Sequence, residues 1–266
     1  MPWATRGLRD RVLTTRWPQH EDAYFDEFPA SIAVVAPGDP DALVDAAIAA
    51  CPTAAIERAP DGAPRLDRGR CILCGRCAAL APETFAWERG SDVSSLARDA
   101  LVVGEAPETD ESLRALRAAL NRRVRRLRRS VHIRHVDTGT DGSDEWEVQA
   151  LANPVYDVHR LGIFFTASPR HADILLLTGI GASGMVEPLR RTLEAMPRPI
   201  VVIATGAEAI SGGIIGGGYM GGAGVGGLVD VDVWVPGSPA TPFAILHGIL
   251  LALDRLPAPR APERPR

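Results

Sequence analysis

Hydrophobic and polar positions follow two rhythms along this chain. Over 27–105 the apolar runs are short. "SIAVVAP" reads as a strand, "DPDALVDAAIAA" as a capped helix, and "LVVGE" at 101–105 as a closing strand. From Asp110 to about Arg129, Leu113, Leu116, Leu120, Val124 and Leu127 recur at spacings of 3, 4, 4 and 3, the stripe of one helix face. Six arginines in "NRRVRRLRRS" fall near its end, where cations favour the helix dipole. From Val131 the pattern changes to "VHIRHV", "GIFFTA", "DILLLTG", "PIVVIATG" and "VDVWVPG", with helical patterns at 144–152, 183–196 and 240–255. Apolar strands alternating with helices predict a mostly parallel, doubly wound sheet. The expected organisation is an extension at 1–26, an α+β module at 27–105, an Arg-rich helical linker at 106–130, an α/β domain at 131–256 and a Pro-rich tail at 257–266. "DILLLTG" and "PIVVIATG" are apolar enough to be covered on both sheet faces, so a fragment of about 130–256 is expected to fold without metal.

Composition narrows the function classes. A net charge of −4 argues against general nucleic-acid binding, which needs a basic surface. Every basic residue is arginine. The first thirty residues lack the apolar stretch of a secretion signal, and no run of eighteen apolar residues spans a membrane directly. A cytoplasmic location is expected, where clustered cysteines are more often metal ligands than disulfides.

The four cysteines fall within "ACPTAAIERAPDGAPRLDRGRCILCGRCAALAP". Cys71, Cys74 and Cys77 form C-x2-C-x2-C, the start of a bacterial ferredoxin half-motif whose last cysteine, in C-P, serves the other cluster. Position 81 is alanine, and "CPTAAI" supplies Cys51 as the remote ligand. The reciprocal site would need thiols at Asp41, Val44, Ala47 and Ala81, and lacks all four. The stretch resembles a two-cluster ferredoxin that keeps one [4Fe–4S] site, with Cys51, Cys71, Cys74 and Cys77 as ligands. Zinc is the competing reading, but it usually takes two C-x2-C units or added histidine.

"SPRHADILLLTGIGASGMVEPLRRTLEAMPRPIVVIATG", "VDVDVWVPGSPATPFAILHGILLAL", "VHIRHVDTG" and "ALANPVYDVHRLGIFFTASPRHAD" resemble the cluster-bearing small subunit of group 4 NiFe hydrogenases and the related B subunit of complex I. The resemblance implies a flavodoxin-like fold docked on a hydrogenase-like large subunit, with membrane subunits in the same complex and this chain on the cytoplasmic face. It also implies a proximal cluster, yet its four cysteine positions fall on Asp141, Asp144, Glu208 and Ser238. Oxygen donors do not hold the cubane that thiolates hold, so that site is expected to be empty. Carboxylates gathered there could instead bind a hard cation or take up a proton.

Other motifs carry less. The G-x-G-x-x-G of Gly222, Gly224 and Gly227 does not follow a strand directly or open a helix, and reads as a docking loop. Ser168, His171 and Asp173 lack a nucleophile elbow. No catalytic residues are expected. The chain reads as an electron-transfer or assembly subunit of an oxidoreductase. The alternatives are a structural or regulatory subunit whose cluster only stabilises the fold, and a nucleotide-binding flavodoxin-like enzyme resting on fold analogy.

Overall fold

A computed structural model of the chain describes residues 3–10, 12–35, 38–103, 110–124 and 130–256. The elements in chain order are α1 (Trp3–Asp10), α2 (Ala23–Glu27), β1 (Pro29–Val34), α3 (Asp41–Ala50), β2 (Ile56–Arg58), β3 (Pro64–Asp67), α4 (Arg76–Leu80), β4 (Phe85–Arg89), β5 (Val102–Val103) and α5 (Asp110–Val124). They continue with β6 (Val131–Asp137), α6 (Ser143–Ala150), β7 (Ile163–Phe165), β8 (Ile174–Thr178), α7 (Val186–Ala195), β9 (Val201–Thr205), α8 (Gly206–Ser211), β10 (Val233–Val235) and α9 (Pro242–Ala252).

The second half is the expected α/β layer structure. Its five strands lie in the order β10-β9-β8-β6-β7, all parallel. This is the flavodoxin-like order, with its switch point between β6 and β8. β8 and β9 are buried at every position, as strands covered on both faces should be. Among the described residues, the outer edge of β10 is covered by Ser95, which exchanges both backbone hydrogen bonds with Trp234 at 2.9 and 2.8 Å. A free strand edge is thereby closed by the preceding module.

The first half builds two small antiparallel sheets, β1-β4 and β2-β3-β5. α3 and α4 pack on them through one apolar core of Ile32, Val44, Ala47, Leu66, Ala81 and Phe85, among others. Three of the four positions missing from the second ferredoxin site are thus core residues. Val44, Ala47 and Ala81 are buried, whereas Asp41 pairs with Arg58 at 3.1 Å.

Three expectations change. The helix at 41–50 has Pro40 at its N-cap and no side-chain cap; Asp39 instead accepts from the backbone of Glu83 and Thr84 at 2.9 and 2.8 Å, tying α3 to the end of α4. In α5 the described part of the stripe is buried at Leu120 and Val124, but Leu116 is exposed; Leu127 and the last four arginines lie outside the described residues. The core of the α/β layer also does not stop at residue 130. It takes in Trp17, Val93, Leu120 and Val124. Phe243 on α9 meets Trp17, Phe25, Phe28 and Tyr156 edge-on at 5.0–6.0 Å between ring centroids. The stretch before residue 27 is therefore part of this core.

Candidate metal centre

All four thiols line one cavity, together with Ile32, Pro52 and Ile56. The backbone between them explains why. Leu73 and Gly75 both adopt positive φ, 54° and 71°, so the chain from Cys71 to Cys77 coils back on itself and α4 starts at once. Successive turns of this hand expose amide hydrogens to the enclosed space. Leu73 N–H points to Cys71 Sγ at 3.4 Å, and Ala55 N–H to Cys51 Sγ at 3.2 Å. Such donors favour thiolate over thiol. Gly75 also has no room for a side chain, since a Cβ would fall 2.7 Å from Trp87 Cζ2.

The donor set fits an iron–sulfur cluster. Burial pushes the Cys71 thiol up to about 11, and the nearby Cys77, Cys51 and Cys74 push further in the same direction. Cys77 is raised for the same reasons. Cys71 and Cys77 ionise together only around a strong positive centre. Among the described residues, no three His, Cys, Asp or Glu side chains gather closely enough to hold a single ion. The thiols ring a cavity rather than converging on a point, which suits a cage of several irons better than one zinc. Cys74 is exposed and Cys77 buried, so the ring has a solvent side and a core side.

The positions that the family resemblance assigns to a proximal cluster lie beyond the carboxyl ends of the parallel strands, where such sheets bind ligands. Asp141 and Asp144 follow β6, Glu208 is in α8 after β9, and Ser238 follows β10. The site is built around Asp144, which is 1% exposed. Its Oδ1 accepts from Ala240 N–H at 2.9 Å, two residues after Ser238. Its other oxygen lies against Gly206, where a Cβ would fall 1.9 Å away. Burial, followed by Glu208, Glu145 and Asp141, raises the Asp144 carboxyl to about 8. Glu208, also buried, is raised to about 7 by burial and then by Asp141. Asp141 itself is exposed and held below the usual range by the Ser143 hydroxyl and amide.

The sequence reading missed the neighbours of this site. Glu145 accepts from Thr140 at 2.7 Å and from Thr178, while His135 shares Thr178 at 2.9 Å. Burial lowers the His135 pKa against the opposing pull of Glu145. The available signal was a charged or hydroxyl residue at the end of β6 and β8, but it becomes visible only once these strands are known to be adjacent.

The two centres abut. Leu73 lines one small cavity with Gly237, Pro239 and Thr241. Gly69 packs so closely on α8 that a Cβ would meet Ile210 Cγ2 at 2.6 Å. The segment Ser168–Asp173 plays a structural part, since Asp173 accepts from His132 N–H at 2.8 Å.

Comparison with known proteins bears on both halves. Residues 142–252 match the family described as NADH ubiquinone oxidoreductase, 20 Kd subunit, and residues 65–119 match a 4Fe-4S single cluster domain. A probable membrane-bound hydrogenase subunit of Pyrococcus furiosus is 39% identical over 128 residues, covering 48% of this chain and 77% of that one. The chain belongs to the NADH ubiquinone oxidoreductase 20 Kd subunit family. Formate hydrogenlyase subunit 7 of Escherichia coli (strain K12) is 38% identical over 159 residues, 60% of this chain and 61% of that subunit. The B subunit of the NADH-quinone oxidoreductase of Geotalea daltonii is 39% identical over 110 residues, 41% of this chain and 64% of that subunit. The chain thus spans somewhat less than two thirds of two of these 20 Kd family relatives. Its single cluster match begins after Cys51, so the place of Cys51 rests on the cavity that it shares with the other three thiols.

Proposed function

We propose that the chain is an electron-transfer or assembly subunit of a membrane-associated, hydrogenase-like or complex I-like oxidoreductase. It would hold one [4Fe–4S] cluster through Cys51, Cys71, Cys74 and Cys77. When bound, the cluster supplies one-electron transfer. The protein's own part is to place four thiols, aim the Ala55 and Leu73 amides at two of them, and leave Cys74 facing solvent. The observation that carries this reading is the single cavity shared by all four cysteines.

The names of the relatives, each a subunit of a larger complex, support a multisubunit setting; a large subunit would dock near the glycine-rich segment. Ile214, Ile215, Tyr219 and Met220 are exposed there. Among the described residues no helix is long and apolar enough to cross a membrane, so attachment would run through partner subunits. With Asp144 and Glu208 at two of the four proximal positions, the docked complex is expected to show no hydrogen turnover through this chain.

Anaerobic purification with partners, followed by redox titration, tests the proposal. A cluster that is reduced at physiological potential and reoxidised by the co-purified partner supports electron transfer. A cluster that is intact but inert to the partner would leave only the structural role.

A further inference from the structure

Glu208 follows Thr205 in the order T-x-x-E, the capping-box pattern that normally satisfies two backbone amides at a helix start. Here neither side chain caps that way. Thr205 makes no side-chain cap, and both Thr205 Oγ1 and Glu208 Oε2 are buried without a partner. Glu208 is only 5% exposed and faces the pocket of Asp144. The Asp141 backbone amide favours the ionised form of this carboxyl, but burial and the surrounding negative charge outweigh it, and Oε2 has no donor of its own. The cheaper form in this setting is the acid.

What closes over Glu208 is the glycine-rich segment. Gly213 has φ 56° and packs on it, so a Cβ there would fall 3.1 Å from Glu208 Cγ. Gly212 donates to the Glu208 carbonyl at 2.8 Å, and the segment returns through Val225 N–H to Ala209 O at 2.8 Å. Between Ser211 and Val229 it brings no charged side chain that could pair with a carboxylate. The charges around Glu208 are mostly of its own sign: Asp137, Asp141 and Asp144 from β6 and its following turn, and Glu145 from α6. His135 is tied to Thr178, and Arg98, beside Gly69 and Ile210, is engaged by Asp67 at 2.6 and 2.9 Å.

We propose that Glu208 is a proton-operated latch: as the neutral acid it lets the glycine-rich segment 212–228 close, and when ionised it opens that segment and its exposed Ile214, Ile215, Tyr219 and Met220 tip. The reaction is loss of one proton to solvent, with no change in electron count. Nothing in it depends on the metal centre.

Hydrogen–deuterium exchange of the full chain, corrected for intrinsic amide rates, tests this between pH 5.5 and 9. Protection in 212–228 should fall by up to tenfold per pH unit as pH rises toward about 7, where Glu208 in the closed segment gives up its proton, and should level off above that, as one linked proton requires. Glu208→Gln, neutral at every pH, should keep the segment closed throughout. Wild-type protection that is flat over this range would overturn the latch, as would the same falling profile in Glu208→Gln. Infrared spectra at pH 5.5 and 9 of Asp144→Asn, which removes the other carboxyl that stays protonated in this range, provide a readout that does not use Glu208→Gln. A protonated carboxyl band that disappears along with protection supports the latch, and absence of the band at pH 5.5 overturns it.

Discussion

Cys51 and Cys74 look unequal in the sequence, since one is twenty residues from the triplet and the other is central to it. In space they line the same cavity. Replacing Cys51 with Ser should therefore lower iron and sulfide as much as replacing Cys74, from about four of each per chain toward none. Retention of the full complement in Cys51→Ser would remove it from the ligand set. Asp144 gives a second test at this scale. Its folded pKa, about 8, lies well above the ordinary 3.8, so the folded chain keeps a proton that the unfolded chain has shed. Stability should fall as pH rises from about 4 to about 8 and level off above that. Each tenfold difference in proton affinity between the two states is worth about 1.4 kcal/mol, so the fall should reach a few kcal/mol. Asp144→Asn can still accept from Ala240 but has no charge to bury; denaturant midpoints should then vary much less across that window. That the four thiols would lie together was legible in the sequence, Cys71, Cys74 and Cys77 from their spacing and Cys51 from the resemblance of its surroundings to a ferredoxin half-motif. Burial of Asp144 and Glu208 was not, because it depends on which strands are neighbours.

At the scale of elements, apolar runs located the five parallel strands, and the capping and packing of the helices proved harder to read. Asp39 resembles an N-cap for α3, yet its carboxylate is drawn to the backbone at the end of α4. A local pattern cannot show that competition, because the rival donors are more than forty residues away. Thr205 and Glu208 similarly spell a cap that the buried pocket overrides. The junction of β9 with α8 shows how tight such places are. Gly206 has φ 88°, and its missing Cβ is replaced by the Asp144 carboxylate. Gly206→Ala should cost about 3 kcal/mol or more, combining backbone strain with a clash that neither β9 nor α6 can relieve. Adding Asp144→Ala should recover part of that loss if the clash is with this side chain, as the coupling of adjacent residues requires. A strictly additive double variant in thermal unfolding would show that strain at residue 206 is the whole cost.

At the scale of the molecule, the two halves are interlocked more deeply than their separate patterns imply. Trp17 and Val93 enter the core of the α/β layer, Ser95 completes its edge at Trp234, and Gly69 meets Ile210. A fragment of 130–256 would lose Trp17, Val93, Leu120 and Val124 from its core. Burying each such side chain contributes about 1.5–3 kcal/mol, so their joint loss approaches the whole of a typical folding free energy, about 5–15 kcal/mol. The fragment should therefore unfold without a sharp transition, or only at a much lower temperature than the full chain, although its strands are apolar enough to suggest independence. The same contacts link the metal centre to the rest. Cys77 belongs to the core of the first module, and the loop through Leu73 shares a cavity with Gly237 and Pro239. Removing the cluster with a chelator under anaerobic conditions should then lower the melting temperature of the α/β layer too, as followed by Trp234 fluorescence in a variant lacking the other tryptophans. An unchanged transition at Trp234 after iron loss would mean that the modules touch but do not share their stability.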